Sequence, residues 1–163
     1  MLARNSVTGL CRLGIYHGLM TLHLQKLSVG SESIQTLQDW QTLVAARREQ
    51  QGLSAYHEHV TRMSPKRKEE LLDGGSIYWV IKGMIQCRNE IVGLEVTQTP
   101  DGRKACSILM TPTLIPVIPV PKRAFQGWRY LKPEDAPIDL EGASGAENLP
   151  PHIRAQLVDI GAW

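Results

Sequence analysis

The densest run of side chains able to do chemistry is Lys122-Arg123-Ala124-Phe125-Gln126-Gly127-Trp128-Arg129-Tyr130-Leu131-Lys132, where three of the chain's nine aromatic residues stand beside four cations. Lysine and arginine neutralise phosphates and aromatic rings give bases a stacking surface, so the mixture suits a single-stranded nucleic acid better than a duplex. The plainer reading is that Phe125, with Trp128 or Tyr130, packs in the core while the cations face water. A second run, Arg62-Met63-Ser64-Pro65-Lys66-Arg67-Lys68, places cations where Ser64 as N-cap and Pro65 at the first helical position predict a helix start. Cations there oppose the helix dipole, whereas the free backbone N–H groups favour an anion, so Lys66 and Arg67 with those amides would make a phosphate or carboxylate site. A solvated charge run balanced by Glu69 and Glu70 is the alternative. Should the strand face carrying Lys82 and Arg88 adjoin either run, the three would form one anion-binding surface.

Other constellations are weaker. His57-Glu58-His59 could ligate a metal, with His23 and Cys87 added on paper, but the chain lacks a matching second pair of ligands and no metal or cofactor is expected. Cys87 falls on the apolar side of a strand, where a buried thiol is inert. Gly142-Ala143-Ser144-Gly145 leaves the serine-hydrolase GxSxG pattern incomplete and has no strand before it. Gly74-Gly75, between a helix and a strand, reads as a cap and turn.

The elements that must position these residues follow from periodicity. Met20 to Val29 alternates as a strand. Ser31 or Ser33 caps a first helix with the stripe Ile34, Leu37, Trp40, Leu43 and Val44; Arg47 and Arg48 complement its last turn and Gly52 ends it. The second helix starts at Pro65, with Leu71 and Leu72 near its end and Gly74 after it. From Ser76 the period becomes two, with Ile77, Trp79, Ile81, Ile85 and Cys87 on one side and Tyr78, Val80, Lys82, Met84, Gln86 and Arg88 on the other. A strand of that length is long for a small domain, so Gly83 marks a bulge or bend. Ile91 to Gln98 and Lys104 to Met110 form a hairpin about Pro100-Asp101-Gly102. Pro112, Pro116, Pro119 and Pro121 confine the next stretch to an edge or wall. Glu141 to Asn148 reads as a flexible acidic connector, and a last helix from Pro151 carries Ile153, Leu157, Ile160 and Trp163.

The resulting fold class is α+β: a curled, mainly antiparallel sheet or small open barrel, with two helices inserted before the long strand and a C-terminal helix. Its outline is similar to the PUA-like RNA-binding barrels, an analogy of fold that carries little about function. Three segments are expected: residues 1–19 as a disordered or spurious extension, with a targeting leader as alternative; 20–140 as one domain; and 141–163 as acidic connector and helix.

Composition sets the frame. The chain has 163 residues and a formal charge of +2, a size that buries a core without staples. No apolar run approaches the roughly 18 residues of a membrane span. Three cysteines without a CxxC pair point to a reducing, cytosolic setting. The +2 conceals a division: residues 20–133 hold 15 basic and 10 acidic residues, whereas residues 134–163 hold one basic and six acidic.

The segments His59-Val60-Thr61-Arg62-Met63-Ser64-Pro65-Lys66-Arg67, Glu70-Leu71-Leu72-Asp73-Gly74-Gly75-Ser76-Ile77-Tyr78-Trp79-Val80-Ile81-Lys82-Gly83, Cys87-Arg88 and Arg123-Ala124-Phe125-Gln126-Gly127-Trp128-Arg129-Tyr130-Leu131 resemble a family of alphaproteobacterial proteins grouped as a domain of unknown function. The resemblance runs from about Met20 to Leu140 and implies a bacterial cytosolic protein beginning near Met20. It supplies no activity, substrate or catalytic residue.

Three functional expectations result. The first is a module binding RNA, single-stranded DNA or a phosphorylated small molecule, with Arg62, Lys66, Arg67, Lys82, Arg88, Lys122, Arg123 and Arg129 on phosphates and Phe125, Trp128 or Tyr130 stacking. The second is a small enzyme on a phosphorylated or nucleotide substrate, with Arg62, Arg88 and Arg129 clamping the anion and Tyr78, Glu70 or Asp73 moving protons. The third is a protein-interaction module, suggested by the charge division and by Trp163.

Overall fold

A computed structural model describes residues 21–140. The N-terminal extension, the acidic connector from Glu141 and the helix expected from Pro151 lie outside the described residues. Within them the order is β1 (His23–Leu27), α1 (Ile34–Gln50), β2 (His57–Thr61), α2 (Lys68–Leu72), β3 (Ser76–Ile81), β4 (Met84–Gln98), β5 (Lys104–Met110), β6 (Ile115–Pro121) and β7 (Trp128–Leu131), followed by a 3-10 turn, Pro133–Asp135.

The strands form one open sheet of seven in the order β2-β5-β4-β3-β1-β7, with β6 also paired to β4. All pairings are antiparallel except β1 with β3, where Leu24 lies beside Ile77 and Lys26 beside Trp79. The α+β class and an open, mainly antiparallel sheet are therefore present.

The long strand differs from its expectation. Gly83 does not bend a strand; Lys82 (φ 49°) and Gly83 (φ 78°) are the two central residues of a hairpin turn closed by the Ile81–Met84 pair. Positive φ at both positions matches the twist of the flanking strands, and the glycine adopts it without a Cβ penalty. Curvature comes instead from β4, whose register shifts between Ile85 and Cys87 against β6 and between Ile91 and Gly93 against β5. The first shift also moves Ile85 away from Cys87's face: Ile85 packs with Tyr78, Val80, Val117 and Leu131 on the outer side. Leu24, Ile77, Trp79, Ile81, Cys87, Ile108 and Met110 fill the concave side.

Ser33 caps α1 through its side chain and forms a capping box with Thr36. The helix turns a different face inward from the one its apolar residues suggest: Leu37, Gln41 and Ala45 are buried, whereas Trp40 is 52% and Leu43 44% exposed. The reason is a polar hub. Gln41 and Asn89 exchange amide hydrogen bonds of 3.0 and 2.9 Å, the Trp79 indole donates to Asn89 Oδ1 at 2.7 Å, and Asn89 Nδ2 donates to the Thr111 carbonyl at 2.8 Å. A satisfied buried network of this kind specifies one docking angle, which an apolar stripe does not.

The second helix also starts later than Pro65. It begins at Lys68 without a side-chain cap, and its first turn carries Glu69 and Glu70. Tyr130 Oη accepts the Lys66 N–H at 2.9 Å and the Arg67 N–H at 3.2 Å, which fixes those residues outside the helix. Behind it, Gly75 lies so close to the Leu71 and Leu22 carbonyls that a Cβ would come within 2.2 and 2.5 Å of their oxygens. The proline-rich stretch is the edge or wall expected: β6 pairs with β4 on one side, and on the other meets residues 138–140 through Ile118 N–H to Ile138 O and Leu140 N–H to Pro116 O, each 2.9 Å.

Because β2 and β7 end the strand order, the curled sheet leaves a seam between them. Side chains cross it: Trp128 Nε1 donates to the Met63 carbonyl at 2.7 Å, beside the Tyr130 bonds.

Candidate functional site

The two cation-rich runs meet at this seam. Trp128 and Tyr130 stand edge to face, 5.0 Å apart, and the Arg67 guanidinium lies 5.7 Å from the Tyr130 ring centre while also pairing with Glu70. Arg62 and Lys66 are exposed beside them. The other sequence-derived residues are elsewhere. Arg129 points to the opposite face of β7, its guanidinium 5.1 Å from the Phe125 ring centre, and Phe125 packs against the outer apolar cluster. Arg123 is exposed. Lys82 sits in the hairpin turn next to Lys122, whose N–H bonds to the Gly83 carbonyl at 2.8 Å.

Arg88 is committed within the fold. It makes a two-pronged pair with Asp139, both contacts 2.7 Å, and its third nitrogen donates to Ser76 Oγ at 2.8 Å. That pairing holds the Asp139 carboxyl below its ordinary range. Tyr78 is buried, with its ring 5.3 Å from His23. Glu70 serves Arg67, and the Asp73 carbonyl accepts from Thr21 Oγ1 at 2.9 Å. Cys87 is buried, and burial pushes its thiol up to about 12, so it stays protonated at neutral pH.

A different group of residues lines a cleft of about 410 Å³ at the mouth of the curled sheet, beneath α1. Alternation in β1 puts Lys26 on the concave side after Leu22 and Leu24. Alternation in β2 turns His57 and His59 toward the cleft while Glu58 faces away, to Arg48 at 2.8 Å and the Ser107 hydroxyl at 2.5 Å. Trp79 forms the wall between them, its indole fixed by Asn89 and its ring 5.8 Å from His59. The turn Ser28 to Ser31 supplies two hydroxyls, bonded to each other at 2.9 Å, and α1 contributes Thr36, Leu37 and the half-exposed Trp40.

The electrostatics are distinctive. Burial, with Lys26 and His57 adding to it at His59, lowers both cleft imidazoles to about 4, so both are neutral at pH 7. His57 Nδ1 is buried with no hydrogen-bond partner, a setting that penalises a charged ring. Burial also lowers the Lys26 amine. Among the described residues no carboxylate lines the cleft or pairs with Lys26. No group of three or more His, Cys, Asp or Glu among them could hold a metal, so the histidine pair contributes two ligands at most. Lys26 is absent from the sequence-derived set. Its signal is a lysine continuing the apolar side of an alternating strand, where a charge is costly.

Fold and site together define an open seven-stranded α+β sheet with a lysine- and histidine-lined cleft at its mouth. Residues 24–163 match the model of a family described as "Protein of unknown function (DUF1489)", and the chain belongs to that family. No curated protein and no solved structure matches it. No helix among the described residues is long and apolar enough to cross a membrane.

Proposed function

We propose that the protein binds a small ligand carrying an anionic group on a flat ring, a phosphorylated or nucleotide-like compound, in the cleft beneath α1. The observation that carries this reading is Lys26, a cation set in a half-buried cleft that has no carboxylate among its described lining residues. An anion there meets a positive charge in a medium of reduced dielectric and displaces no internal partner. The Ser28 and Ser31 hydroxyls offer further donors, and the Trp79 and Trp40 rings offer flat apolar surface. The free, buried thiols Cys87 and Cys106 suit a reducing cytosol.

Titration with adenosine monophosphate and adenosine, followed by tryptophan fluorescence, tests it. The phosphate-bearing compound should bind more tightly, and Lys26→Met should weaken it by about tenfold, or 1.4 kcal/mol. Equal binding of the two compounds, or an unaffected Lys26→Met variant, would overturn the cleft assignment.

A second reading rests on the seam, where the bonds of Trp128 and Tyr130 bring the two cation-rich runs to one edge. It is a single-stranded nucleic acid lying along Arg62 and Lys66. Salt-sensitive binding of an oligonucleotide, lost in an Arg62→Ala, Lys66→Ala double variant and kept in Lys26→Met, would favour the seam over the cleft.

A further inference from the structure

Lys26 is unusual for more than its charge. It stands on the concave wall opposite neutral imidazoles, its backbone level with Trp79 on one side and Trp128 on the other. Among the described residues the titratable side chains that line its cleft besides Lys26 are His57 and His59, with Glu58 behind His57 and facing Arg48; α1, packed across the mouth, contributes Thr36, Leu37 and Trp40, none of which ionises. Lysines that act as nucleophiles share this kind of environment: a desolvated amine, no carboxylate to hold it as ammonium, and a neighbouring base. An amine needed only for packing or solubility would reach bulk water, as Lys66, Lys82, Lys104 and Lys132 do.

We infer that the Lys26 amine forms an imine with a carbonyl group of the ligand, which makes the cleft's ligand class a flat, anion-bearing aldehyde or ketone. The inference rests on the cleft being the binding site. The Lys26 ammonium, the form that meets the anion, first gives up a proton to solvent, and the amine so formed attacks the carbonyl carbon, forming a C–N bond as the carbonyl π pair moves to oxygen. The proton leaving nitrogen passes to a neutral imidazole, His59 being the one that senses the Lys26 charge. The alkoxide takes up a proton to give a carbinolamine. Loss of hydroxide from carbon, leaving as water once protonated, and of the remaining N–H proton completes the imine. The sequence is an addition followed by loss of water, with proton transfers between them, so no oxidant or reductant is consumed. The cleft volume of about 410 Å³ accommodates a single substituted ring.

Pyridoxal 5′-phosphate is a suitable probe because it joins a flat ring, a phosphate and an aldehyde. The full chain is incubated with it at low molar excess, reduced with borohydride, digested and mapped by mass spectrometry. Lys26 should carry the reduced adduct, with an initial labelling rate on the order of tenfold above that of any exposed lysine because binding presents the aldehyde to it. Free inorganic phosphate or adenosine monophosphate should slow labelling at Lys26 and leave the exposed lysines unchanged. In Lys26→Arg, which keeps the charge, the dominant adduct should vanish while the other sites label as before. Adducts spread evenly over Lys66, Lys82, Lys104 and Lys132, or no adduct at Lys26, would overturn the imine. If adenosine monophosphate still binds through Lys26 in the fluorescence titration, that failure leaves the anion-binding cleft standing; if it does not, both readings fall.

Discussion

At the scale of single residues, the neutral histidines make a prediction with a definite sign. In an unfolded chain His57 and His59 take up protons near pH 6.5, whereas in the fold burial delays this to about 4. Between those values the unfolded state binds more protons, so stability is full above about pH 6.5 and falls as the pH drops toward 4. His57 alone accounts for a loss on the order of 3 kcal/mol by the lower limit, and His23, whose pKa is lowered by burial and then by Arg88, acts in the same direction. Urea denaturation at pH 7.5 and pH 5 should show the drop, and His57→Asn should flatten it; a midpoint constant across that range would contradict the burial of these rings in neutral form. Residues of this kind are poorly legible from a linear chain. The spacing of His57 and His59 is visible, but spacing suggests metal ligation, and only the fold shows two imidazoles beside a lysine with no carboxylate among the described lining residues. Lys26 was legible in principle, since Leu22, Leu24 and Lys26 share one side of an alternating strand.

At the scale of elements, the seam between β2 and β7 depends on two side chains in place of a ladder. Removing the hydroxyl with Tyr130→Phe leaves the Lys66 and Arg67 N–H groups without their shared acceptor, for an expected loss of about 1 kcal/mol because both amides can turn to water. Limited trypsinolysis should cut after Lys66 or Arg67 earlier in that variant, and an unchanged cleavage pattern would show that the seam is held by other contacts. The same hydroxyl explains why α2 was misplaced by its sequence. Ser64 and Pro65 form a sound helix start locally, but a phenol far along the chain captures the amides that would follow. Likewise α1 lies where its period predicts and takes Ser33, one of the two expected caps, yet its inward face departs from the apolar stripe because Gln41, a polar residue, is the one that docks on Asn89. The hairpin about Pro100-Asp101-Gly102 was legible because a tight turn is a local decision. The turn at Lys82-Gly83 was not, since lysine at positive φ is no local preference.

At the scale of the whole molecule, the division between a basic body and an acidic end acquires one definite contact. Arg88, read from the sequence as an anion-binding residue, meets Asp139 and fastens residues 138–140 against β6. Asp139→Asn should cost about 1 kcal/mol, the partly exposed pair being screened by water, and should speed hydrogen exchange at the Ile118 and Leu140 amides that bond across this join. Exchange at those amides equal to that of the parent chain would assign the attachment to the backbone alone. The one parallel pairing in the sheet, β1 with β3, has a consequence for the order of assembly. The hairpins β3-β4 and β4-β5 join neighbours in sequence, whereas Leu24 must find Ile77 across α1, β2 and α2, and β7 must then find β1. Contacts so distant in sequence form late in folding. Lys26 and Trp79 therefore come side by side only when the final strands dock, and a partly folded chain made of hairpins has no cleft to offer. A ligand that fits the cleft thus acts as a clasp on the last step, slowing departure from the native state more than it hastens arrival.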